Sequence, residues 1–136
     1  MAENKFKIFW GKSLNEKIKL FFGQEFFQSK VIRWLLFLGI FSNLIDWIVL
    51  GVFLPETEKS IILHFNVYFG VDSIGNPNET YLLPFIGFIV LCINWLLAFY
   101  FYIKKERIAS YILLLCAFMV QLSLLISIIS VIIINY

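Results

Sequence analysis

Three long apolar runs dominate this chain: "VIRWLLFLGIFSNLIDWIVLGVFL" at 31–54, "YLLPFIGFIVLCINWLLAFYFYI" at 81–103, and a third that opens at Ile108 and continues to the C-terminus. Each reaches the roughly 20 residues a helix needs to cross the hydrocarbon of a bilayer. In lipid every backbone N–H and C=O must find its partner within the protein, so such runs become helices. Hydrophobic residues make up 61% of the chain and charged residues only 15%, against an apolar share of about 45–50% in soluble domains. The expectation is an all-α integral membrane protein with spans at about 31–54, 81–103 and 108–134. A soluble catalytic domain has no place in it.

Residues 1–30 read as a cytoplasmic amphipathic segment preceding a three-helix membrane domain, 31–136. The segment lacks the short apolar core and cleavage site of a signal peptide and is expected to stay attached. Ser13 and Glu16 are spaced as a capping box, and Leu14, Ile18, Phe21 and Phe22 follow at helical spacing beside Lys12, Lys17, Lys19 and Lys30. That pattern suits a helix lying in the interface of an anionic leaflet; the alternative is a lead-in to the first span. Pro55 ends that span. Asn78 or Thr80 offers a cap for the second, which tolerates Pro84 in its first turn. The short "KKER" link makes the second and third spans antiparallel neighbours.

Orientation follows from Lys and Arg. Seven lie before or just inside the first span, three lie at 104–107, and only Lys59 lies in the loop 55–80. An excess of basic residues marks the cytoplasmic side, so the N-terminus is expected there, with loop 55–80 and Tyr136 outside. Trp34, Tyr81, Tyr100, Tyr102 and Tyr111 fall near the expected boundaries, where interfacial aromatics collect. A net charge of +2 is too small to point to nucleic acid.

The loop carries the only histidine, in "LHFNVYFGVD" at 63–72. Leu63, Phe65, Val67, Phe69 and Val71 alternate with His64, Asn66, Tyr68, Gly70 and Asp72, which is the period of a strand. Gly70 and the turn-rich "DSIGNPNE" let the chain fold back as a hairpin or an irregular loop. His64, Asn66, Tyr68 and Asp72 then share a face. Three roles are open to it: local turn stabilisation by side-chain bonds to backbone, recognition of a ligand or peptide, and acid–base chemistry by His64 and Asp72. The last lacks a nucleophile and a defined pocket.

The spacing of Pro55, "LHFNVYFGVD" and "LLP" at 82–84 resembles the extracytoplasmic loop of the membrane family related to the sporulation-delaying-toxin immunity protein. It is also similar to small bacterial three-span proteins with a comparable loop. The resemblance extends in layout over about residues 45–125, with about ten residues in its specific part. It implies an immunity-like or signalling-associated role in a bacterial cytoplasmic membrane, without enzymatic activity, and it transfers to His64, Asn66, Gly70 and Asp72.

Asp46 is the acidic residue well inside a span, where a charge is costly. Counting depth at 1.5 Å per residue matches Asn43 with Asn94 and Asp46 with Gln121, an intramembrane polar seam. In its acid form Asp46 has a donor for the side-chain carbonyl of Gln121. Such a seam serves helix adhesion or an ion pathway. Gly39, Ser42 and Gly51 are small enough for close helix approach. Cys92 and Cys116 lie within apolar runs and read as small buried apolar residues. One histidine and two such thiols do not make a metal site, and no cofactor motif is present. The reading is a non-enzymatic membrane protein that contacts something outside the bilayer through residues 61–76. The alternative is an oligomeric transporter or channel subunit built on the seam around Asp46. Its partners are then the bilayer and either another membrane protein or further copies of the chain, with no nucleic acid and no cofactor.

Overall fold

In a computed structural model, which describes residues 25–54 and 60–136, the chain forms three long helices and one β-hairpin. A short helical turn α1 (Glu25–Gln28) leads into α2 (Lys30–Phe53). The hairpin follows as β1 (Ile61–Asn66) and β2 (Gly70–Gly75), then a 3₁₀ turn over Pro77–Tyr81, α3 (Leu82–Ile103) and α4 (Arg107–Asn135). All three long helices are long and apolar enough to cross a membrane. Their observed ends differ from the expected spans by one residue at most. The interfacial helix expected from Ser13 lies outside the described residues.

Outward faces of the helices carry large apolar side chains such as Ile40, Leu44, Phe88 and Ile112, which suits lipid, where apolar exposure carries no penalty. Helix α4 packs along both α2 and α3, while α2 and α3 meet over a thinner line. At the end where α2 begins, Phe26, Ile32, Ala98 and Leu114 form a buried cluster, and Phe26 meets Phe99 and Tyr102 edge to face at 5.3 and 5.4 Å. At the opposite end Leu50, Ile128 and Ile132 form a second.

The turn between α3 and α4 closes with Lys105 at φ 67°, and the Glu106 N–H donates to Phe101 O over 3.0 Å. This is the left-handed helix ending usually supplied by glycine. At the other end of α3 the expected cap is displaced. Asn76 accepts from Asn78 N–H, and the Asn76 N–H donates to Glu79 Oε1, so the capping box belongs to the 3₁₀ turn. Asn78 donates only its backbone N–H there, and the Thr80 hydroxyl is buried without a hydrogen-bond partner among the described residues. Pro84 occupies the first turn of α3, where its missing N–H costs nothing.

Of the small residues on α2, Gly39 and Ser42 are buried, and a Cβ on Gly39 would stand 2.8 Å from Leu91 Cδ1. Gly51 faces open space. Cys92 is only half-buried and Cys116 is exposed. Neither is a core thiol, because the lipid-facing sides of α3 and α4 are as apolar as their core sides.

Candidate functional site

Two groups of polar residues separate along the bundle axis: the hairpin at one end and the seam within the helices.

Strand β1 pairs antiparallel with β2 through Ile62–Ile74, Phe65–Val71 and Asn66–Gly70, with a break in register around His64, which faces Ser73. The alternation read over 63–71 is therefore not one strand. Val67, Tyr68 and Phe69 form the connecting loop, and "DSIG" belongs to β2 instead of a turn. Two side features close the loop. Asn66 Oδ1 accepts from Tyr68 N–H at 2.9 Å, an Asx-type turn, and Gly70 takes φ 81°, a conformation that costs a side-chain-bearing residue ~1–2 kcal/mol. The three loop side chains project away from the rest of the protein at 86%, 91% and 85% exposure.

His64 and Asp72 do share a face. Nδ1 of the imidazole donates to Asp72 Oδ1 over 2.6 Å, both side chains being substantially exposed at 66% and 44%. The pair orients the ring, but Tyr68 sits at the loop apex and Asn66 is committed to its own turn, so the expected four-residue face reduces to His64 and Asp72. Among the described residues no three His, Cys, Asp or Glu side chains gather as a metal site.

The hairpin is held at its base by a residue the sequence reading passed over. Asn135, the last residue of α4, accepts from Ile62 N–H at 2.8 Å and donates to Ile62 O at 2.7 Å. Its amide thus meets the donor and acceptor of one strand residue as a neighbouring strand would. Ile61 beside it is buried. The clue in the sequence was a lone amide at the end of an apolar helix.

Within the bundle the seam is real but differently composed. Asn43 Nδ2 donates to Gln121 Oε1 at 3.0 Å and lies 2.9 Å from Pro84 O, while Gln121 Nε2 donates to Gly87 O at 2.8 Å. All three long helices are joined. Gly87 makes the junction possible: a Cβ there would fall 2.7 Å from Gln121 Oε1 and 3.2 Å from Asn43 Nδ2. Asn94 is not a member; it donates to Val90 O on its own helix at 2.9 Å, a local side-chain bond to the backbone one turn back. Nor does Asp46 bond to Gln121, whose oxygen serves Asn43. Asp46 is fully buried, and neither carboxyl oxygen has a hydrogen-bond partner among the described residues. Counted from the helix starts at Lys30 and Arg107, Asn43 lies 13 residues in and Gln121 14, so these two are level and Asp46 lies deeper; the depth match with Asp46 depended on taking α2 to begin later than it does.

Compared with protein-family models, curated proteins and solved structures, the chain matches none.

Proposed function

We propose that this is a non-enzymatic membrane protein whose hairpin contacts a partner beyond the bilayer. The observation that carries the reading is the Val67–Tyr68–Phe69 apex, three large side chains almost fully exposed on a hairpin that Asn135 ties to the end of α4. Consecutive exposed apolar and aromatic residues are characteristic of contact surfaces, and the anchored base limits the ordering cost of binding. The partner is an extracytoplasmic peptide or segment with a complementary apolar surface. An immunity-like role in a bacterial cytoplasmic membrane, with the N-terminus cytoplasmic, agrees with the loop resemblance and with the basic residues near α2 and α3.

The test places a photoreactive phenylalanine analogue at Tyr68 and, as a control, at Ser73, in the native membrane. An adduct specific to position 68 that disappears in Val67→Ser/Phe69→Ser is expected. Equal adducts at both positions, or none, would remove the apex as a contact surface.

A second reading, an oligomeric transporter or channel subunit, rests on one observation: the buried, unpartnered carboxyl of Asp46. Intramembrane ionisable residues commonly mark ion pathways. Flux in proteoliposomes that Asp46→Asn abolishes without loss of thermal stability would favour it over the hairpin reading.

A further inference from the structure

At the end of the bundle opposite the hairpin, α2 presents a stripe of a different kind. Lys30, Arg33, Trp34 and Phe37 stand at i, i+3, i+4 and i+7, which places them on one helix face. Together they line a wide-open groove of about 570 Å³. Trp34 and Phe37 are 64% and 54% exposed and meet edge to face at 6.1 Å. Phe37 then stacks on Phe41 at 5.6 Å, so the apolar stripe continues one turn deeper. Neither Lys30 nor Arg33 forms an ion pair among the described residues, whereas Arg107 at the same end reaches Glu25 over 3.5 Å.

We propose that this face binds one anionic phospholipid of the surrounding leaflet. The layout follows the amphipathic form of such a lipid: two cations at the helix end meet the phosphate, and the Trp34–Phe37–Phe41 stripe lies along the upper acyl chain. Arg33 supplies a planar fork suited to phosphate oxygens, and Lys30 adds a mobile point charge. A zwitterionic lipid offers the same phosphate but carries its own cation, which competes with Lys30 and Arg33. Basic residues at the end of a span attract anionic headgroups, and basic pockets between spans hold them; this open groove sets both cations beside an apolar stripe. The site is separate from the hairpin and from the seam, and it does not depend on which leaflet this end occupies.

The test uses the full chain in vesicles of phosphatidylcholine containing phosphatidylglycerol, with a diazirine on the acyl chain of one lipid or the other. Labelling of residues 34–41 is read by peptide mapping. Diazirine-phosphatidylglycerol is expected to label this stretch well above diazirine-phosphatidylcholine. Arg33→Gln should lower that preference about five-fold, the size expected for one basic residue at an anionic surface, while Lys104→Gln leaves it unchanged. Equal labelling by the two lipids in the wild type overturns the proposal. So does an absence of label, as when another part of the chain or a second copy covers the face, or an equal loss in Lys104→Gln, which would show general charge attraction. The wild-type comparison stands even if the Arg33 variant does not fold, and none of its outcomes depends on the hairpin.

Discussion

Asp46 and Asn43 stand three residues apart on α2, yet only Asn43 is bonded. Its amide reaches Gln121 and the Pro84 carbonyl, whereas both oxygens of Asp46 are buried without partners among the described residues. Removing a partner from a bonded pair leaves an orphan, but removing an orphan relieves a penalty of ~1–3 kcal/mol. Leucine has the branching of aspartate without its polar atoms. Asp46→Leu is therefore expected to hold or raise the melting temperature of the bundle in detergent, and Asn43→Ala, which strands Gln121 Oε1, to lower it. Intramembrane hydrogen bonds average ~0.6 kcal/mol, so the Asn43 effect should be modest. A marked fall in Asp46→Leu would show that its carboxyl has a partner holding the helices together.

At the scale of elements, the hairpin depends on contacts that neither strand supplies. A two-stranded ribbon is marginal in water by itself, and β1 and β2 have an irregular register around His64. Anchoring comes from α4, where Asn135 makes both hydrogen bonds to Ile62. At 29 residues α4 is about 44 Å long at 1.5 Å per residue, more than the roughly 30 Å of hydrocarbon. The excess is taken up by tilt or by a stub beyond the lipid, and its end carries the clamp. Asn135→Ala should release the strand at ~0.5–1.5 kcal/mol per bond. Faster amide exchange across 61–66 is expected, with exchange in the middle of α4 unchanged. Full protection of Ile62 in that variant would mean the hairpin is held by something other than the clamp.

For the whole molecule, charge and core follow one axis. The five basic residues within the described segments, Lys30, Arg33, Lys104, Lys105 and Arg107, sit where α2 and α4 begin and α3 ends, and the hairpin sits at the other end. Between the two apolar clusters lies the Asn43–Gln121–Gly87 junction, so the core is apolar, polar, then apolar. If the basic end is cytoplasmic, as the positive-inside rule predicts, a cysteine replacing Ser73 reacts with an impermeant maleimide added to intact cells, while one replacing Lys105 reacts only after permeabilisation. The opposite pattern would invert the topology and place the hairpin in the cytoplasm.

The sequence by itself determined the three helices and their ends to within a residue, because hydrophobic length and local hydrogen bonding act along the chain. It also offered a hairpin between the first two spans, but the alternation over 63–71 runs across the loop at 67–69 and is not the period of either strand. The apex was misplaced because "VYF" contains no customary turn residue; the signals were Asn66 and Gly70 on either side of it. Only the tertiary structure decided which polar groups meet. The deciding bonds join residues 34, 73 and 78 positions apart, and whether they form depends on which helix faces meet and on the space left by Gly87. Periodicity can place Asn43, Asp46, Asn94 and Gln121 on their helices, but a hydrogen bond needs its two atoms within about 3 Å, and that distance is set by packing alone.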